Sequence, residues 1–227
     1  MTRRADIRKV LKMSDKDYEK FTKTADVINH LPDIENKRYL ELGIDAGWTF
    51  DNVPCKDKVG IDIKPEVEPD YCMTTDKYFA KLHNQFTENE VFDLIFIDAD
   101  HSAQAVVKDF NNSVNCLTYD GLILIHDLAP RAEEEIGACG DGFKWLYKVR
   151  ECIKKNGLAH LQLVTCRDNH GLTMISRAQS TNFYWTKAEL DAVTFQDFMR
   201  QQAKYKRPTQ QEMCLQMQNI RDIIPKW

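Results

Sequence analysis

Residues 92–110, FDLIFIDADHSAQAVVKDF, carry an apolar stretch straight into acid and imidazole. Leu94, Ile95, Phe96 and Ile97 read as a strand buried on both faces, and Asp98, Asp100 and His101 follow before a helical pattern begins. A carboxylate beside a buried apolar run needs a partner. An imidazole titrates near neutrality, so His101 has the chemistry of a general base. Asp100 either orients His101 or faces solvent. A second polar pair, His126 and Asp127, ends the apolar run GLILIHD at 121–127.

A glycine-bearing loop adds a binding function. ELGIDAGWTF, residues 41–50, follows an apolar run and holds Gly43 and Gly47 four apart. Glycines let backbone approach a ligand closely. A diphosphate wants backbone N–H groups and no nearby carboxylate. Glu41 stands where a nicotinamide-binding loop carries its first glycine, so the loop suits a ligand with an ammonium or sulfonium group. Asp62 ends VGIDI about 20 residues later, where an acid takes a pair of ribose hydroxyls in nucleotide-binding α/β folds. Thr75 and Asp76 follow a third short strand, at a place where an adenine edge would be met.

The elements that must hold these residues alternate. Strands are expected at 38–42, 58–63, about 70–74, 92–97, 121–126, 160–166 and 171–176. Helices or helical turns are expected at 48–53, 76–85, 102–117 and 142–156, with Ser102 as an N-cap and Val106, Phe110, Val114 and Leu117 as an apolar face. This order predicts an α/β fold: a Rossmann-like doubly wound sheet of about seven strands, mostly parallel. The short RDNH segment reads as a hairpin turn, which places one antiparallel strand at the sheet edge. Residues 14–31 read as an amphipathic helix, with Ser14 and Asp17 as a capping box and Tyr18, Phe21, Ala25, Ile28 and Leu31 on one face, ended by Pro32. In 178–227 the apolar residues Trp185, Leu190, Val193, Phe195, Phe198, Met199, Met213, Leu215, Met217 and Ile220 suggest helices on the core, with Thr186 and Thr209 opening two of them. The expected organisation is a single domain over 1–227: a helical cap (1–36), an α/β core (37–177) and a helical extension (178–227).

Composition excludes several classes. With 227 residues, 43% of them hydrophobic, the chain can bury one large core. Its net charge of −4 leaves no footprint for nucleic acid or an anionic membrane, and the basic residues of KYKRP at 204–208 are too few to change that. No run of about 18 apolar residues predicts a membrane span. MTRRADIRKV lacks the apolar core of a signal peptide. Seven scattered cysteines with no CxxC pair fit reduced thiols in the cytoplasm. Trp145 reads as core. GACGDG at 137–142, after RAEEE, reads as a lid over the cleft or as a plain surface loop. Asp168 and His170 read as turn residues without a chemical role. The aromatic and Met-rich C-terminal helices offer a surface for a homodimer.

Taken in order, the motifs ELGIDAG, Asp62, Thr75-Asp76, IDADH at 97–101 and GLILIHD at 121–127 resemble a class I S-adenosylmethionine-dependent methyltransferase over roughly residues 37–177. ELGIDAGWT is similar to the glycine loop of the catechol O-methyltransferase group. FIDADH and the downstream His-Asp resemble small bacterial and viral methyltransferases, whose relatives include enzymes that methylate sugar hydroxyls of macrolides and other natural products. The resemblance implies S-adenosylmethionine as cofactor and methyl transfer to a hydroxyl of a small molecule or sugar. It implies that Glu41, Gly43 and Gly47 surround the methionine part, that Thr49 holds its carboxylate, that Asp62 takes the ribose hydroxyls and that Thr75 or Asp76 lies at the adenine. Asp98 borders the same crevice, and His101, three residues on, is the general base. It also implies a Mg²⁺ site built from Asp98 and Asp127, although His126 and Leu128 stand where relatives carry an acid and an asparagine. Hard cations take oxygen ligands, and a transition metal using His126 is the variant. Rival readings are a nicotinamide-dependent oxidoreductase, which Glu41 argues against, and a non-catalytic nucleoside-binding or assembly protein. Methyl transfer to nucleic acid or protein lacks both an NPPY-like tetrapeptide and a basic surface.

Overall fold

The computed structural model describes residues 23–84, 91–156, 158, 160–176, 178 and 181–219. Ser14, Asp17, Tyr18, Phe21 and Ile220 lie outside them. Strands β1 (Arg38–Leu42), β2 (Asp57–Asp62), β3 (Tyr71–Cys72), β4 (Phe92–Ile97), β5 (Leu117–Ile125), β6 (Gln162–Thr165) and β7 (Thr173–Ser176) form one sheet in the order β3-β2-β1-β4-β5-β7-β6. The pairs β1–β2, β1–β4, β2–β3 and β4–β5 are parallel, while β7 runs antiparallel to both β5 and β6.

The antiparallel strand is therefore not the edge strand that the hairpin suggested. The hairpin exists, but β7 is inserted beside β5 and β6 takes the edge. Burial explains the choice: Thr173, Met174, Ile175 and Ser176 are all buried, whereas Gln162, Leu163 and Val164 of β6 are only partly so.

Helices cover both faces: α1 (Lys23–Asn29), α2 (Thr75–Asn84), α3 (Ala103–Asn115), α4 (Ile136–Cys139), α5 (Phe143–Asn156), α6 (Lys187–Asp191), α7 (Phe195–Gln202) and α8 (Gln210–Gln218). Strand alternation sorts the core into two layers. Leu40, Leu42, Ile95, Ile97, Ile123 and Ile125 pack with Phe79, Phe110, Trp145 and Phe198. Tyr39, Leu94, Phe96, Leu122 and Leu124 point the other way, toward Ile28, Met213 and Met217. The first described helix and the last thus share one face of the sheet. Trp145 is fully buried, as its helical spacing predicts.

Local signals account for most boundaries. Ser102 caps α3 by accepting from the Ala105 N–H at 3.4 Å. Thr186 and Thr209 open α6 and α8 with full capping boxes, and Thr194 does the same for α7. Residues 48–53 form hydrogen-bonded turns rather than a helix. Leu117 belongs to β5 and not to the helix before it. Met213, Met217 and Phe198 are fully buried in the core, while Tyr184, Tyr205 and Leu215 stay exposed. Among the described residues, no helix is long and apolar enough to cross a membrane.

Candidate active site

The strand order reverses between β1 and β4, and ligands of open α/β sheets bind in the crevice at such a switch point. A cavity of about 980 Å³ lies there, bordered by the ends of β1, β2, β4 and β5. Glu41, Gly43, Thr49, Asp62, Thr75, Asp76, Asp98, His101, His126 and Asp127 all line it. Gly47 does not: at φ +73 it closes the turn, its N–H donating to the Ile44 carbonyl at 2.7 Å, and so carries Trp48 and Thr49 to the wall.

Gly43 lines the cavity and is also needed for packing. At φ +85, a Cβ on it would overlap the carbonyl of Asp98, whose own N–H donates to Leu42 at 2.8 Å. Its lack of a side chain lets β1 and β4 close on each other, which sets Asp98 against the loop.

One end of the cavity is built from acids held by backbone and by a tyrosine. The two oxygens of Asp62, which is 8% exposed, accept from the N–H groups of Asp45 at 3.0 Å and Lys64 at 2.9 Å. These bonds fix the carboxylate and leave lone pairs for further donors. Asp45 is in the left-handed region at φ 40, which turns its N–H to Asp62. Glu41 is buried and accepts from the Tyr39 hydroxyl. Burial pushes its carboxyl well above the usual range, only partly offset by that bond. Asp76 forms an exposed ion pair with Lys108 at 3.0 Å. Asp109 on α3 also lines this end, and the sequence reading missed it. Burial raises its carboxyl to about 6, against the hydrogen bond from Thr75. Its only signal was an acid set between the core residues Val106 and Phe110.

The other end gathers imidazoles and acids. His126 Nδ1 lies 3.1 Å from Asp98 Oδ1 and 3.3 Å from Asp127 Oδ1. Burial would lower its pKa, but the two carboxylates outweigh this and raise it to about 9, so His126 is an imidazolium at neutral pH. His101 Nε2 is 3.9 Å from Asp98 and 3.8 Å from Asp127. Asp100 is exposed, the second of its two expected placements, and accepts from the Ser102 N–H at 2.8 Å at the start of α3.

The 137–142 segment is neither a free lid nor a plain surface loop. His101 O accepts from the Gly142 N–H at 2.9 Å, and Asp141 accepts from the Ala103 N–H at 2.7 Å. Gly140, at φ +66, packs where a Cβ would press into His101. The segment is thus the backing of His101. Its Cys139 is buried, with Sγ 3.5 Å from His170 Nδ1, and burial together with Asp127 pushes the thiol up to about 12. Asp168 and His170 lie in the β6–β7 turn, as expected, and this turn also lines the cavity. Left-handed backbone at Asn169 and His170 brings the turn back over Asp127.

Two donor sets could hold a cation: Asp98, His101 and Asp127, and Asp127, Cys139 and His170, each with its ligand atoms within 4.8 Å of one another. Both share Asp127 and both mix nitrogen or sulfur with oxygen, a chemistry that fits Zn²⁺ or Fe²⁺ better than Mg²⁺.

Residues 64–128, from the end of β2 to just beyond β5, match the Methyltransf_24 family, described as a methyltransferase domain. Over these 65 of the 227 residues the chain is similar to a methyltransferase domain. Curated sequences give no match to it. A protein from Corynebacterium glutamicum superposes with a TM-score of 0.50 at 11% identity, over 80% of this chain and 90% of its own. An O-methyltransferase from Bacillus cereus bound to S-adenosylhomocysteine gives 0.46 at 14% identity, over 75% and 94%. MycE, a methyltransferase of mycinamycin biosynthesis crystallised with Mg, S-adenosylhomocysteine and mycinamycin VI, gives 0.44 at 15% identity, over 70% of this chain. This chain spans about half the length of MycE, covering 50% of it.

Proposed function

We propose that the protein is an S-adenosylmethionine-dependent methyltransferase that modifies a hydroxyl of a small molecule or sugar, with His101 as the general base. The observation that carries the reading is one acid-lined cavity with two distinct ends. Asp62 and Glu41 lie at one, and His101, Asp98, His126 and Asp127 at the other. A strongly acidic cavity favours a cationic ligand over a diphosphate.

When bound, S-adenosylmethionine supplies an electrophilic methyl group on a sulfonium centre. Asp62 is set to accept from a ribose diol. Glu41 gains from a nearby positive charge, which would draw its buried carboxyl toward the ionised form. Thr49, buried on the wall, offers a hydroxyl to the methionine carboxylate. Thr75, Asp76 and Asp109 border the adenine side. At the opposite end His101 Nε2 takes the proton of the acceptor hydroxyl as its oxygen attacks. The resulting imidazolium is stabilised by Asp98 and Asp127. His126 already neutralises part of their charge.

A divalent cation held by Asp98 and Asp127 would lower the pKa of the acceptor hydroxyl directly, and His101 would then be a ligand and not the base. The test is transfer of a labelled methyl group to a panel of hydroxylated sugars, with wild type and His101→Ala, in EDTA and in Mg²⁺ or Mn²⁺. The base reading expects turnover in EDTA that is lost in the variant. Activity that appears only with metal would replace it by the metal reading.

The proposed organisation is a single catalytic unit over 1–227, with the α/β core binding cofactor. Residues 129–142, the cap and the C-terminal helices shape the acceptor side. Small-molecule acceptor and cytoplasmic location belong to the same proposal.

A further inference from the structure

A second cavity, of about 560 Å³, lies at the sheet edge between α5, β6 and the segment leading into α8. It shares no lining residue with the first. Arg150, 4% exposed, enters it from α5. Its guanidinium has only neutral partners: Nη1 donates to Gln202 Oε1 at 2.5 Å and Nη2 to Thr165 Oγ1 at 3.2 Å. The Tyr205 ring covers it, with the centroid 4.5 Å from Cζ. The Nε atom is buried with no hydrogen-bond partner. Arg207 lines the same cavity, and its Nη1 is likewise buried and unpartnered. The two guanidiniums are near enough to repel each other.

No carboxylate among the described residues forms an ion pair with either arginine, and Asp168 acts on Arg207 only from a distance. Glu212 is the one acid on the wall, and its carboxylate is held by the Thr209 N–H at 2.7 Å and the Thr209 hydroxyl at 3.1 Å. Lys154 and Lys206 add two further cations at the rim. A guanidinium removed from water without a counter-charge is costly, and two side by side more so. An oxyanion between them would supply the missing charge and accept from the orphaned N–H groups. The planar fork of arginine matches phosphate oxygens, and two such forks favour a dianion. The cavity is larger than one phosphate group needs. Leu161, Leu163, Leu215 and the Tyr205 ring give the rest of a ligand an apolar, partly aromatic wall.

We propose that this cavity is a binding site for a phosphate monoester, held by Arg150 and Arg207, with the body of the ligand against Tyr205 and the leucines. The proposal is independent of the methyl-transfer reading.

It is tested by calorimetric titration of the full chain with inorganic phosphate, AMP and succinate at constant ionic strength, in wild type, Arg207→Gln and Arg150→Gln. Phosphate and AMP are expected to bind, AMP more tightly, and succinate at least about tenfold more weakly than phosphate. Arg207→Gln should weaken phosphate and AMP at least about tenfold while leaving the circular dichroism spectrum unchanged. Arg150 is part of the packing, so Arg207→Gln decides the matter if Arg150→Gln does not fold. No phosphate or AMP binding, equal affinity in Arg207→Gln, or succinate binding as tightly as phosphate would overturn the proposal. AMP binding that ignores Arg207 would belong to the first cavity and count against it too.

Discussion

Asp62 and Arg150 are both buried charged residues on a cavity wall, yet the chain treats them differently. Asp62 is held by two backbone N–H groups at the end of a strand, so its charge is satisfied by the fold itself. Arg150 leans on an amide, a hydroxyl and an aromatic ring, and keeps an unpartnered N–H. The first arrangement is complete before a ligand arrives and only offers spare lone pairs. The second is incomplete, and a ligand would finish it. Asp62 is therefore expected to tolerate an empty cavity, while the basic cavity should gain stability from an anion.

The largest expected effect is catalytic. His101→Ala should lower turnover about 10²–10⁴-fold with cofactor affinity unchanged within about twofold. Comparing kcat with the dissociation constant checks this, and a parallel loss of cofactor binding would remove His101 from its role. Next is Gly43→Ala, which forces a methyl group into the Asp98 carbonyl at a positive φ. It should cost about 2–4 kcal/mol in urea denaturation, because overpacking and strain add. A change below about 0.5 kcal/mol would mean that β1 and β4 can separate.

His126 gives a pH signature. Its folded-state pKa of about 9 lies above the ordinary 6.5, so the folded chain holds this proton more tightly than the unfolded one. The stabilisation is complete below the unfolded value and is lost as pH rises through about 9, on the order of 2–3 kcal/mol. Denaturation midpoints at rising pH should fall in wild type and stay flatter in His126→Asn. The smallest effect expected is Asp62→Asn, which keeps one acceptor oxygen and should weaken cofactor binding about tenfold, near 1.4 kcal/mol. Arg207→Gln should leave that affinity untouched, and a change would couple the two cavities.

The acid cavity was largely legible in the sequence because each of its groups ends an apolar run. Asp62, Asp98 and Asp127 follow residues whose burial fixes the strand, so the strand end fixes the side chain. Gly43 was read as letting backbone approach a ligand, and its contact with Asp98 was not legible because it depends on β1 and β4 being adjacent. Asp109, Cys139 and His170 were missed or dismissed because they converge from separate segments. Cys139 and His170 are 31 residues apart and meet only when the β6–β7 turn folds back. The basic cavity was illegible for the same reason. Its arginines come from α5 and from a loop 57 residues later, and neither has a motif. The place of β7 depended on the burial of its neighbours, which local pattern does not carry.

The most direct test of the central claim is calorimetric titration of S-adenosylmethionine into the purified protein, with NAD as the control ligand. The account predicts micromolar binding of the first, weakened in Asp62→Asn, and none of the second. Absence of S-adenosylmethionine binding, or binding that Asp62→Asn leaves unchanged, would contradict it.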